Sequence, residues 1–202
     1  MLILTLLSNP VFFFRIVAIL IISVCLHELA HGWAAISQGD DTPIRTGHMT
    51  LNPVVHMGWE SIIYLCLVGI VWGSMPVNPA RFRNPVLGNI LVSAAGPLLN
   101  LGLAILCIVI LSISAHHSDG GILSGQFFWL AAKVNLVLFM FNLLPIPPLD
   151  GFHICSELIP SLKPLQYSQF GLFAFVVLYT TGISAGLSRL ADVAIYAVLP
   201  FR

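Results

Sequence analysis

The chain has 202 residues, of which 58% are apolar and 8% charged, and its eight basic and eight acidic side chains cancel. So few charges cannot coat a 22.0 kDa globule of mean hydropathy +0.97, because an average soluble domain is about 25% charged. An ordinary soluble enzyme, a disordered chain and a nucleic-acid binder with a basic face are excluded. What remains is an all-α polytopic protein of the lipid bilayer, read as a single domain over 1–202, with room for about four or five spans.

Residues 1–26 carry no basic stretch before the apolar run and no A-x-A site after it, so they are expected to stay in the mature protein. The first span is predicted from Val11 to about Ala35. Residues 36–58 are polar by local standards, and IRTGHMTLNP (44–53) alternates in places between a Gly and a Pro. That pattern predicts a short β-hairpin or edge strand. The next apolar piece, Ile62–Gly73, would reach only ~18 Å as a helix, short of the ~30 Å hydrocarbon core. A re-entrant or interfacial segment fits it better than a span. SMPVNPARFRNP (74–85) reads as a proline-rich loop. A second long span, Leu87–Ala115, contains Gly96-Pro97 and Asn100. The HHSDGG loop (116–121) follows, then a span from Phe127 to Leu144 that stops at PIPP (145–148). A further span is predicted over Gln166–Leu187, with an interfacial tail from 189. Cys25, Cys66, Cys107 and Cys155 lie in or beside apolar stretches with no CxxC pair, and read as structural thiols.

The sharpest chemical signal is His27-Glu28-Leu29-Ala30-His31. On a helix, residues i and i+4 share one face, so His27 and His31 can share a metal, and Glu28 can reach a metal-activated water as general base. An ionised Glu at the centre of a membrane helix costs about 2.5–3.5 kcal/mol on insertion scales, which argues for a use. Two histidines do not complete a catalytic zinc site, which takes three protein ligands and one open position. Among the acids, Asp40, Asp41, Glu60 and Asp119 fall in loops or at segment ends, and Glu157 and Asp192 in or near interfacial pieces. Asp150 differs, because it follows helix-breaking prolines and precedes Gly151 in NLLPIPPLDG. A carboxylate there can turn inward or can be a plain turn residue. It can meet the histidines only if the first span and the 127–144 span run parallel, which requires that 62–73 does not cross the membrane.

HELAHGW (27–33), TLNPVVH (50–56), PVNPARFRNP (76–85), SAAGPLLN (93–100) and NLLPIPPLDG (142–151) together resemble the site-2 protease family of intramembrane zinc metalloproteases. The middle motifs are similar to its small bacterial branch without a PDZ domain. The resemblance implies a three-helix catalytic core plus a further span. It implies one Zn2+ per chain on His27, His31 and Asp150, with Glu28 as catalytic acid/base. It places Asn142 at the active site, holding substrate or a developing oxyanion, and it implies a transmembrane protein as substrate, cut near the cytosolic face of a bacterial membrane. Two positions depart from the branch pattern: Met57-Gly58 follow His56 where an acid is expected, and His48 stands where Arg or Lys is expected. A membrane metal carrier and an inactive scaffold are the competing readings. The first needs no Glu28, and the second does not need all four of His27, Glu28, His31 and Asp150.

Other polar residues have weaker expectations. His56 and His153 could approach the site. Asn100 reads as a helix-packing hydrogen bond or a site residue, and Lys133 as a polar contact inside a span. Arg45, Arg81, Arg83 and Lys163 would lie on the active-site side, with Arg15, Arg189 and Arg202 near the other, a slight excess toward a cytosolic active site.

Overall fold

The computed structural model describes residues 1–114, 124–167 and 182–199. Among them all regular structure is helical. A short α1 (Ile3–Ser8) breaks at Asn9-Pro10. Asn9 then caps α2 (Pro10–Ser37), accepting from the Phe12 N–H at 3.0 Å, and Pro10 takes the first position, where its missing N–H costs nothing. At 28 residues α2 is about 42 Å long.

The hairpin expected at 44–53 is absent. Residues Thr42–Arg45 form a single helical turn, α3, and no strand occurs among the described residues. Turn chemistry overrides the alternation there. Asp40 accepts from the Thr42 N–H, Pro43 sits in the first turn, and Gly47 turns the chain at φ 72°. Helix α4 (Pro53–Leu67) begins earlier than the apolar piece it contains, because Asn52 caps it through the Val54 N–H, and it kinks at Gly58 (φ 68°, ψ 166°). From 70 to 78 the chain has neither helix nor turn. A 3-10 turn (Pro79–Arg81) leads into α5 (Pro85–Ser114), which contains Pro97. Then come α6 (Gly125–Asn142), α7 (Asp150–Leu158), a 3-10 stretch (Pro160–Tyr167) and α8 (Ile183–Val198).

Helix α5 is central, packing against α2, α6 and α7, while α8 packs on α6. The α5–α6–α8 seam is built from Ala104, Ala132 and Ala191, with Ile108, Leu136 and Ile195. The three fully buried alanines let the helix backbones approach closely. A second cluster joins Val24 and Cys25 of α2 to Met57 and Leu65 of α4. Two helices, Pro10–Ser37 and Pro85–Ile113, are long and apolar enough to cross a membrane, with hydropathy 2.3 and 2.4. Helix α6 spends part of its length on Lys133, Asn135 and Asn142.

Most of the span expected at 166–187 lies outside the described residues, as does the HHSDGG loop. The tail expected to be interfacial instead forms most of α8, held to α6 by Lys133 and Asp192 at 2.8 Å, with Lys133 Nζ 5.0 Å from the Trp129 ring centroid. Of the four cysteines, all free, only Cys25 is fully buried.

A polar knot follows α2. Asp40 is buried and accepts from the Asn78 N–H at 2.7 Å and from both the N–H and the hydroxyl of Thr42. Asp41 pairs with Arg45 and Arg81, and the Arg83 N–H donates to the Gln38 carbonyl at 2.8 Å. Burial opposes the Asp40 charge, but these hydrogen bonds and Arg81 outweigh it and hold its carboxyl below the usual range. A depressed folded-state pKa stabilises fully above the unfolded value of about 3.9, and that contribution is lost as pH falls through the folded value. Asp40→Ala is therefore expected to cost about 1–3 kcal/mol near neutral pH and to weaken the acid dependence of stability below about pH 4. Thermal melts in detergent at pH 7 and pH 3.5 check both.

Candidate metal centre

Helix α2 presents His27 and His31 one turn apart, with their rings edge to face at 4.6 Å between centroids. Helix α7 begins at Asp150 beside them. His27 Nε2 lies 3.2 Å from Asp150 Oδ2, and His31 Nε2 lies 3.5 Å from Asp150 Oδ1. One ligand atom from each of the three residues falls within 4.8 Å of the others. A tetrahedral ion with bonds of about 2.0–2.1 Å needs ligand atoms about 3.3–3.4 Å apart, so the two histidine–aspartate separations fit a zinc ion.

The far side of each imidazole is also engaged. His31 Nδ1 is 2.6 Å from the Val92 carbonyl, which can only accept, so Nδ1 carries the proton and Nε2 keeps its lone pair. His27 Nδ1 is 2.6 Å from the Asn100 side-chain oxygen. Asn100 thus makes a helix-packing bond that is also a site contact. Both partners belong to α5, as does Gly96. A Cβ added at Gly96 would lie 2.5 Å from both His27 Nε2 and His31 Nε2, so α5 can close over the two rings only because Gly96 has no side chain. Pro97, next along, removes the N–H that would bond the Ser93 carbonyl, and Ser93 lines the cavity.

Asp150 reaches the site because the PIPP break ends α6 and starts α7 against it. A Cβ at Gly151 would collide with the Leu143 carbonyl, so glycine permits that contact. Asn142, the last residue of α6, lines the same cavity and donates one amide N–H to the Leu138 carbonyl at 3.0 Å, leaving the other available.

The cavity has a volume of about 490 Å³ and is also lined by Glu28, His153 and the 71–79 stretch. Glu28 is buried, and a Cβ at Gly73 would fall 2.6 Å from its Oε1, so the carboxylate rests against that stretch. The stretch is pinned at three of its residues. Trp72 exchanges both backbone bonds with the Ser61 hydroxyl, the Ser74 N–H donates to the His56 carbonyl, and the Asn78 N–H donates to Asp40. His56 stays behind it, buried, with its Nε2–H on the Thr50 carbonyl at 2.6 Å. His153 lies in the cavity, and burial, opposed by the charge of Asp150, lowers its pKa.

The structure therefore brings together His27, Glu28, His31, Asn142 and Asp150, and sends the other acids elsewhere. Glu157 accepts from Asn89 and Lys163, Asp192 pairs with Lys133, Asp40 and Asp41 hold the knot, and Glu60 is exposed. Asp119 lies outside the described residues. Val92 and Gly96 were not legible as site residues. Val92 acts through its carbonyl, and Gly96 was visible only as a Gly-Pro pair inside a span.

The profile of peptidase family M50 matches residues 15–118 and 116–181. The chain belongs to peptidase family M50. It is 39% identical over 180 residues to a Bacillus subtilis protein named "Putative zinc metalloprotease YwhC", covering 84% of this chain and 82% of that one. It is 30% identical over 178 residues to "Putative zinc metalloprotease Rip2" of Mycobacterium tuberculosis, covering 83% of this chain and 67% of that one. No solved structure matches. As an M50 member with two apolar helices the chain is a membrane-associated metalloprotease, and its His–His–carboxylate donor set suits the zinc cofactor.

Proposed function

We propose that this M50 member hydrolyses peptide bonds of transmembrane proteins within the bilayer, with His27, His31 and Asp150 holding one zinc ion. The observation that carries the reading is the meeting of ligand atoms from α2 and α7 beside a buried Glu28. His27 and His31 precede the end of α2 by ten and six residues, or about 15 and 9 Å. Trp33, 56% exposed, sits just beyond them, as an interfacial tryptophan would. That depth suits a cut inside the hydrocarbon near one face. The reading takes α2, α5 and α6 as the three-helix core, with a further span in 166–187. Arg45, Arg81, Arg83 and Lys163 stand at the ligand end of the core, and Arg15 at the other against Ser124, an asymmetry that favours a cytosolic active site.

Zinc bound there supplies a Lewis acid and lowers the pKa of water at its open position. Glu28 takes the proton of the attacking water and returns it to the leaving amine. Asn142 offers its free amide N–H to the scissile carbonyl oxygen as charge develops.

A helical substrate must unwind, because its carbonyls are already hydrogen-bonded. The 70–78 stretch offers the replacement partners. In an extended chain, alternate residues face opposite edges. Trp72, Ser74 and Asn78 are pinned, whereas Gly73, Met75 and Val77 line the cavity and their N–H groups have no partner among the described residues. The substrate pairs there by strand addition, next to Glu28. At 44–53, where an edge strand was expected, the chain turns instead. Met75→Pro removes one edge donor. It is expected to lower kcat/KM about tenfold, mainly through KM, with zinc content unchanged. Steady-state cleavage of a detergent-solubilised peptide checks this.

The whole reading is tested by incubating purified protein in liposomes with model transmembrane peptides. Internal cleavage that a chelator abolishes and zinc restores supports it. Cleavage confined to soluble peptides, or insensitive to the chelator, contradicts it.

A further inference from the structure

Beyond the proposed ligands, two buried amides link the site to α6. Asn100 is 0% exposed and Asn135 is 3% exposed. Asn135 Nδ2 donates to the Ala131 carbonyl at 2.9 Å, Asn100 Nδ2 donates to Asn135 Oδ1 at 2.9 Å, and Asn100 Oδ1 meets His27 Nδ1 at 2.6 Å. The chain of bonds runs from α6 through α5 to α2.

Its polarity follows from one fixed end. A backbone carbonyl can only accept, so the Asn135 amide must turn its nitrogen to Ala131 and its oxygen to Asn100. That oxygen can only accept, so Asn100 must present its nitrogen to Asn135 and its oxygen to His27. An oxygen facing Nδ1 requires the Nδ1–H tautomer, which leaves the lone pair on Nε2, the atom turned toward Asp150. We propose that Asn135, which touches neither metal ligand nor cavity, is a positioning residue that sets the tautomer of His27 through Asn100. His31 needs no such relay, because the Val92 carbonyl fixes it directly. Without Asn135 the Asn100 amide has no reason to prefer either orientation. The flipped amide would offer N–H to Nδ1, and His27 would then carry its proton on Nε2, where it cannot bind a metal.

The inference rests on the zinc site proposed above, but its first test does not use zinc. The tautomers are read in metal-free Asp150→Ala protein labelled with 15N only at histidine, where no carboxylate draws a proton to Nε2, at a pH above the imidazolium range. His27 and His31 are both expected there as Nδ1–H tautomers, and His27 found with the proton on Nε2 overturns the proposal. In Asn135→Leu, the His27 signals are expected to become a mixture of tautomers while those of His31 stay. Zinc affinity, read by competition with a chelator, is expected to fall about 10- to 100-fold. Asn135→Gln, which can rebuild the acceptor, is expected to recover part of that loss, and Asn135→Ala to recover none. An unchanged His27 in Asn135→Leu, or His27 and His31 disturbed equally, overturns the proposal. Zinc lost from the wild type itself would instead break the metal reading and leave the tautomer result standing.

Discussion

Glu28→Gln is expected to lose turnover by about 10²–10⁴-fold or more while keeping its zinc. The substitution preserves volume and removes only the capacity to take and return a proton. Glu28 is not among the three residues whose ligand atoms converge, so the metal content should match the wild type. The carboxylate has a single place to act, since it is buried at the cavity wall against Gly73. Measuring cleavage and zinc on the same preparation separates the two roles. Retained cleavage would remove Glu28 from the mechanism, and loss of zinc together with cleavage would make it a ligand.

Gly96→Ala is expected to damage the metal centre itself, with no change in any ligand. The added methyl would sit 2.5 Å from both Nε2 atoms, inside contact distance. Neither ring can yield freely, because each is held at Nδ1 by α5, through Val92 or Asn100. Either α5 moves off α2 or the rings turn from Asp150. Forcing a methyl into a packed site costs about 1–3 kcal/mol, which is about 5- to 150-fold in an equilibrium constant. Zinc affinity by chelator competition should fall by that factor, and Gly102→Ala, where nothing lies within 4 Å of the added Cβ, should be neutral.

The ligand set was legible because its chemistry is written in side-chain type and spacing. His27 and His31 fall four apart on a helix, and Asp150 alone follows a proline break that could turn a carboxylate inward. The parallel course of α2 and α6 was legible too, from the shortness of 62–73, and the contacts of His27 and His31 with Asp150 agree with it. What escaped the sequence acts through backbone or through shape. The Val92 carbonyl has no residue signature. Gly96 matters for the absence of an atom. The 70–78 edge carries no strand pattern, because it is held by the Ser61 hydroxyl at Trp72, the His56 carbonyl at Ser74 and the Asp40 carboxylate at Asn78. At 44–53 the alternating pattern was present, but Asp40, Pro43 and Gly47 dictated a turn. Asn135 was not singled out from the sequence, and its bond to Asn100 is what gives it a purpose.

The central claim is a metal centre shared between α2 and α7. It is tested most directly by the zinc content of detergent-purified protein, wild type against Asp150→Ala. About one zinc per chain in the wild type, lost or strongly weakened in the variant, is the expected result. No zinc in the wild type, or zinc unaffected by Asp150→Ala, would contradict the site.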